Sequence, residues 1–223
     1  MKRSNPKPRA RVLIVDDHPA VREALALRIG RQPDLEVCGE AADPGGALRL
    51  VGETRPDVAV IDISLKSGNG IDLIKRIKDR ADRVRVVVWS MHSESLYAER
   101  ALRAGAMGYV NKDQATDTIV EAIRRVRDGK IWLSPLMTER VLQRTVGIGR
   151  TGVSQSPVDD LSDRELEAFH LIGRGQTTDQ IAAEMHVSPK TVETYRARIK
   201  EKLGLNSFAE VIQRAAQWVL EKA

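Results

Sequence analysis

Between residues 11 and 130, short β-branched runs alternate with amphipathic stretches of helical period, and this alternation constrains the chain more than any other feature. The runs are Val12-Leu13-Ile14-Val15, Leu35-Glu36-Val37-Cys38, Val58-Ala59-Val60-Ile61, Val84-Arg85-Val86-Val87-Val88 and the weaker Gly108-Tyr109-Val110. Runs that are apolar almost throughout suit strands covered on both faces. Helical stretches lie between them, marked by Val21, Leu25, Leu27 and Ile29, by Ile71, Leu73, Ile74 and Ile77, and by Ile119, Ile123 and Val126. We therefore read residues 11–130 as an α/β domain, a doubly wound (βα)5 unit around a parallel sheet. Asp43-Pro44 reads as a helix N-cap followed by proline at the first helical position.

After Gly129 the strand signal stops. Residues 131–158 read as a linker, with a short helix around Pro135–Arg144 and a Gly/Ser/Thr-rich part over 145–160. Residues 159–223 read as a small all-α unit of four helices. Ser162-Asp163-Arg164-Glu165 is a capping box with Leu161 and Leu166 as its staple, and Thr177-Thr178-Asp179-Gln180 is a second box-like start. Ser188-Pro189 opens a third helix, Gly204 stops it, and Ser207-Phe208-Ala209-Glu210 opens a fourth. The second and third are separated only by a tight turn near His186-Val187.

The formal net charge is +5, but five positive charges lie in residues 1–11, around a basic tail over 1–10. From Asp159 to the end nine Lys/Arg face eleven Asp/Glu, so total charge says little about nucleic acid. No apolar run reaches the roughly 20 residues of a membrane helix, and the N-terminus lacks the apolar core of a signal peptide. The single Cys38 excludes an intramolecular disulfide, and with no export signal the expected location is cytoplasmic, without a membrane partner. His18, His92, His170 and His186 have no metal-ligand spacing and read as structural.

Ligands of open parallel sheets bind beyond the carboxyl ends of the strands. There the first run ends in Asp16-Asp17, the third in Asp62, the fourth runs into Ser90 and the fifth into Asn111-Lys112. Three gathered carboxylates need a cation, and hard oxygen ligands beside a phosphoryl group suit Mg2+. Asp62, on the central strand, is the candidate nucleophile for an aspartyl-phosphate. Asp16, Asp17, Asp62 and the Ser64 carbonyl would hold the metal, while Lys112 and the Ser90 hydroxyl would bond phosphoryl oxygens.

On Val12-Leu13-Ile14-Val15-Asp16-Asp17-His18, Val60-Ile61-Asp62-Ile63-Ser64-Leu65, Val88-Trp89-Ser90-Met91-His92 and Gly108-Tyr109-Val110-Asn111-Lys112-Asp113, residues 11–130 resemble the flavodoxin-like receiver domain of response regulators. The resemblance implies phosphorylation of Asp62 by a sensor histidine kinase, with Asp16 and Asp17 as metal acids, Lys112 as the phosphate-binding lysine and Ser90 with Tyr109 as a switch pair. Ser90 would move toward the phosphoryl group and Tyr109 would fill the vacated space. Two positions depart from the pattern: Lys66 stands where proline is usual, and Asp113 follows Lys112 in place of proline.

In the third C-terminal helix, Val192, Tyr195, Ile199 and Leu203 recur at core spacing. Its other faces carry Lys190, Thr191, Glu193, Thr194, Arg196, Ala197, Arg198, Lys200 and Lys202, the candidate DNA contacts, with Glu193 or Thr194 placed to read base edges. With the preceding short helix and turn this makes a helix-turn-helix. Residues 161–218 resemble the LuxR-type domain, on Leu161-Ser162-Asp163-Arg164-Glu165-Leu166-Glu167, Gln180-Ile181-Ala182, Val187-Ser188-Pro189-Lys190-Thr191-Val192 and Lys202-Leu203-Gly204. The two matches imply the NarL/FixJ arrangement: a transcription regulator rather than an enzyme, binding promoter DNA as a homodimer on activation, with RNA polymerase as a further partner. An aspartyl-phosphate hydrolase is the rival from another class. Such enzymes carry a second Asp two residues after the nucleophile, where this chain has Ser64. A receiver that works without phosphorylation is a second alternative, against which Asp16, Asp17, Asp62 and Lys112 argue together.

Overall fold

In the computed structural model, which describes residues 8–146 and 157–222, the five apolar runs form one parallel sheet. Its strands are β1 (Ala10–Val15), β2 (Leu35–Ala41), β3 (Val58–Ile61), β6 (Arg85–Ser90) and β7 (Gly108–Asn111), in the order β2-β1-β3-β6-β7. A two-residue hairpin, β4 (Ser64–Leu65) with β5 (Gly68–Asn69), follows β3. Helices α1 (Pro19–Gly30), α2 (Pro44–Thr54), α3 (Gly70–Arg80), α4 (Glu94–Arg103) and α5 (Thr116–Arg127) make the crossovers. The chain runs outward from β1 to β2 and then back to β3, so the winding reverses between β1 and β3, where such sheets bind ligands.

The apolar patterning accounts for most of the core. Val12, Ile14, Val58, Val60 and Val87 pack with Leu25, Ile29, Ile119, Ile123 and Val126. Ile71, Leu73, Ile74 and Ile77 of α3 are all buried. Leu27, expected to face the core, is 59% exposed. Two residues along a helix lie on nearly opposite faces, so Leu25 and Leu27 cannot both point inward. Cys38 is half-buried, beside Thr54.

The start of the stretch read as linker continues the sheet edge. Tyr109 N–H donates to the Trp132 carbonyl (2.9 Å) and Trp132 N–H to the Met107 carbonyl (2.9 Å). Those bonds cover part of the open edge of β7, and the Arg125 guanidinium lies 5.7 Å from the Trp132 ring centre. The helix expected around 135–144 is α6 (Pro135–Val146). The rest of the Gly/Ser/Thr-rich segment up to 156, and residues 1–7 of the basic tail, lie outside the described residues.

Asp34, in the turn after α1, is clamped to α5. Arg124 holds it through two nitrogens (2.8 and 3.0 Å) and Arg127 through one (2.9 Å). The Arg124 hydrogen bonds, opposed by burial and helped by Arg127, lower its pKa to about 2. A carboxylate depressed on folding stabilises the fold above its unfolded pKa of about 3.9, and that contribution fades as pH falls through about 2. Solvent reaches the cluster, so the contribution is about 1 kcal/mol or less. Asp34→Asn should be less stable than wild type to urea at pH 5, with the gap closing by pH 2.

The chain divides into two compact units, Met1–Glu139 and Arg140–Ala223. In the second, α7 (Asp163–Gly173), α8 (Thr178–Glu184), α9 (Pro189–Lys202) and α10 (Phe208–Lys222) surround Leu166, Phe169, Ile172, Ile181, Met185, Val192, Ile199, Val211 and Trp218. Both capping boxes form, at Ser162 with Glu165 and at Thr177 with Gln180. Ser188 Oγ accepts from Thr191 N–H at 3.1 Å. Gly204 ends α9 at a φ of 63°, a left-handed conformation that glycine adopts without a side-chain penalty.

Candidate functional site

Register alone assembles an acidic pocket on the first unit. Val15 of β1 lies opposite Ile61 of β3, so Asp16-Asp17 and Asp62 leave the sheet side by side, with Asp62 N–H bonded to the Val15 carbonyl at 2.9 Å. Ser90 of β6 lies opposite Asn111 of β7, and Lys112 N–H donates to the Ser90 carbonyl at 2.9 Å. Asp16, Asp17 and Asp62 are all buried. The Lys112 ammonium donates to Asp16 Oδ2 at 2.6 Å and also to Asp62 Oδ2. Asp62 Oδ1 accepts from Ser64 N–H at 3.3 Å, and Asp16 Oδ1 from His18 N–H at 2.9 Å.

Asp17 is different. Both of its carboxylate oxygens are buried, and neither accepts a hydrogen bond among the described residues. His18 Nδ1 approaches Oδ1 to 3.0 Å outside hydrogen-bond geometry, and Lys66 Nζ lies 4.0 Å from Oδ2. One ligand atom from each of Asp16, Asp17, His18 and Asp62 can be chosen so that all lie within 4.8 Å of one another. Burial raises the Asp62 pKa, although Lys112 works against it. Burial also opposes the Lys112 charge, but Asp62 and Asp16 outweigh it and hold the ammonium above its ordinary pKa. Three buried carboxylates against one buried ammonium leave an excess of negative charge. Unsatisfied hard oxygens with that charge fit a divalent ion such as Mg2+.

The Ser90 side chain is fully buried beside this pocket. The Tyr109 ring is already inside, with its hydroxyl donating to the His92 carbonyl at 2.8 Å, so entry of the ring need not await any movement of Ser90. Burial, then Tyr97 and Asp62, push the Tyr109 pKa well above the usual phenol value. His92 Nε2 and Ser64 Oγ are 2.6 Å apart, which ties the loop after β6 to β4. Sequence reasoning gave no site role to His18 or His92; their positions, one and two residues beyond the acidic pair and Ser90, were the available signal. Glu94 in the first turn of α4 accepts from Ser134 N–H at 2.9 Å, just before α6.

On the second unit, α8 and α9 meet at a turn where His186 has a φ of 53°. Val192 and Ile199 are buried, whereas Tyr195 and Leu203 are half-buried. Lys190, Glu193, Thr194, Ala197, Arg198 and Lys202 are exposed, and Thr191, Arg196 and Lys200 half-exposed. Arg196 turns back on its own unit. It donates to Thr178 Oγ1 (2.6 Å) and Glu193 Oε1 and lies 3.6 Å from the Phe208 ring centre.

Residues 12–124 match the response regulator receiver domain family, and residues 159–215 match the bacterial regulatory proteins of the luxR family. The chain belongs to the NarL/FixJ family of two-component response regulators. This response regulator is 32% identical to the oxygen regulatory protein NreC of Staphylococcus carnosus, over 92% of this chain and 96% of that one. It is 33% identical to the transcriptional activator protein ExaE of Pseudomonas putida, over 92% and 95%. Its fold is similar to that of RcsB from Salmonella enterica serovar Typhimurium, a structure bound to promoter rprA in the presence of phosphomimetic BeF3-, with a TM-score of 0.60 at 23% identity over 93% of this chain and 98% of that one. The response regulator is thus a transcription regulator with a receiver and a LuxR-type DNA-binding domain, and not an enzyme of the usual kind. Among its described residues no helix is long and apolar enough to cross a membrane.

Lys202 of the response regulator has work inside its own unit. Its ammonium donates to Glu165 Oε2 at 2.7 Å and to the Asp160 carbonyl at 3.2 Å. Burial pushes the Glu165 pKa up, but Lys202 and the Ser162 bonds outweigh it and hold the carboxylate below its ordinary value. Lys202→Ala would leave a buried carboxylate with only its Ser162 donor, so the helical unit should lose about 1–2 kcal/mol, measurable as a lower urea midpoint.

Proposed function

We propose that Asp62 is the phosphoacceptor of this response regulator and that a sensor histidine kinase is its donor. The convergence of Asp16, Asp17, Asp62 and Lys112 on one edge of the sheet carries the proposal. Asp16, Asp17, Asp62 and the Ser64 carbonyl are the residues that would hold Mg2+, which when bound neutralises charge on the phosphoryl oxygens. Ionised Asp62 attacks phosphorus through a carboxylate oxygen, and the donor's imidazole or acetate leaves. Lys112 at present spans Asp16 and Asp62, so it shifts to a phosphoryl oxygen as the new bond forms. Ser90 donates to another oxygen, while Tyr109, anchored to the loop after β6, reports the change to the face of α4, β7 and α5.

The output is promoter binding by α9. Lys190, Arg198 and Lys200 suit phosphates, and Thr191, Thr194 and Ala197 lie on the side that would meet base edges; Glu193 reaches DNA only by releasing Arg196. Two copies read a two-fold site on activation, RNA polymerase is a further partner, and the reaction belongs in the cytoplasm. We place the functional boundaries at 1–10 (tail), 11–130 (receiver), 131–158 (linker) and 159–223 (DNA binding). The test measures affinity for a promoter fragment before and after treatment with acetyl phosphate and Mg2+. Several-fold tighter, salt-sensitive binding is expected after treatment; unchanged affinity would refute phosphoryl control. Thr194→Ala should lose preference for the promoter over random DNA, by a factor of about 5–30.

A further inference from the structure

We infer that Lys66 is an electrostatic counterweight at the metal pocket, lowering the affinity of the unphosphorylated chain for Mg2+. The inference rests on the reading of Asp16, Asp17 and Asp62 as the metal acids and goes beyond it to a residue outside that set. Lys66 stands on the turn between β4 and β5, where the receiver pattern has proline. Its ammonium lies 4.0 Å from Asp17 Oδ2. That oxygen and its twin are buried and accept no hydrogen bond among the described residues, so the Asp17 charge is balanced by field alone. Lys112 is committed to Asp16 and Asp62. Among the described residues, Lys66 is therefore the lysine that faces this carboxylate.

A cation at this rim acts in two directions. Without metal it offsets part of the repulsion among the three buried carboxylates. With a divalent ion on Asp17 it becomes a like charge a few ångströms from that ion, and this repulsion offsets its attraction to the carboxylates. The net effect disfavours the metal-bound state. The Lys66 side chain is 57% exposed, so solvent screens it and the effect has the size of an exposed charge interaction. The expected consequence is an approximately fivefold change in Mg2+ affinity.

The experiment titrates MgCl2 into the full chain at constant ionic strength and follows heat by calorimetry and Trp fluorescence. Trp89 is a usable reporter, because Lys112 Nζ lies 5.5 Å from its ring centre. Lys66→Met keeps the apolar stem and removes the charge; Lys66→Arg keeps the charge. Lys66→Met should bind Mg2+ about fivefold tighter than wild type, Lys66→Arg should match wild type, and the difference should shrink as NaCl is raised. Equal or weaker binding by Lys66→Met would overturn the role of Lys66 while leaving the metal site intact. Absence of saturable Mg2+ binding in wild type and Lys66→Met alike would overturn the metal site itself, and this inference with it.

Discussion

Asp62→Asn is expected to take up no phosphoryl group from acetyl phosphate, with intact-mass spectrometry showing only unmodified chain under conditions that should modify wild type. On the proposed reading the neighbouring carboxylates do not take over, because they are the metal acids. Asp16 is bonded to Lys112 and to His18 N–H. Asp17 has His18 Nδ1 3.0 Å from one oxygen and Lys66 Nζ 4.0 Å from the other. Asparagine is nearly isosteric and keeps an acceptor for Lys112, so the variant should fold with stability within about 1 kcal/mol of wild type. Loss of modification together with intact urea stability would isolate the nucleophile from the scaffold. A mass gain that persists in Asp62→Asn would place the acceptor elsewhere.

Gly70→Ala is expected to damage the same site through the backbone. Gly70 is the first residue of α3, its N–H donates to the Ile63 carbonyl at 2.7 Å, and Asn69 caps the helix through Ile71 N–H at 2.7 Å. A Cβ on Gly70 would sit 2.1 Å from the Asp62 carbonyl oxygen and 2.8 Å from Ile63 Cα. Both neighbours are backbone, so no flexible side chain can yield, and the segment carrying Asp62 must move by about 1 Å. Forced overpacking of this kind costs about 1–3 kcal/mol, and we expect the upper end. Displacement of Asp62 relative to Lys112 and Asp16 should slow phosphorylation by at least about tenfold. The measurements are the urea midpoint and the initial rate of mass gain. A variant with wild-type rate and stability would mean that the α3 start is not pressed against Asp62.

Elements and caps were legible because their signals are local. Period-two and period-3.6 apolarity, the boxes at Ser162 and Thr177, and the Ser188-Pro189 start act within a few residues. Limits appeared where a period was broken, as at Leu27, which shares no face with Leu25. The gathering of strand ends into one pocket was also readable, since a parallel sheet in this order leaves its carboxyl ends on one edge.

What a long side chain does after reaching that edge, or the surface of α9, was not readable. Lys202 finds Glu165 across 37 residues, and Arg196 folds onto Thr178 and Phe208. Trp132 joins β7 from within a stretch that looked like linker, because pairing along an edge depends on an available partner strand and hardly on local propensity. Lys66 reads in the sequence as a substitution in a loop, yet its ammonium lies 4.0 Å from Asp17.

The amino-acid order by itself determined the alternation of strands and helices, the placement of acids, serine and lysine at strand ends, and the polar face of α9. These follow from interactions among residues close in sequence and from the geometry of parallel sheets. Tertiary structure decided the pairings: Lys112 between Asp16 and Asp62, Tyr109 on the His92 carbonyl, Asp17 without a donor among the described residues. Those depend on side-chain reach and burial across elements far apart in the chain, where small free-energy differences between solvent and protein partners select the contact.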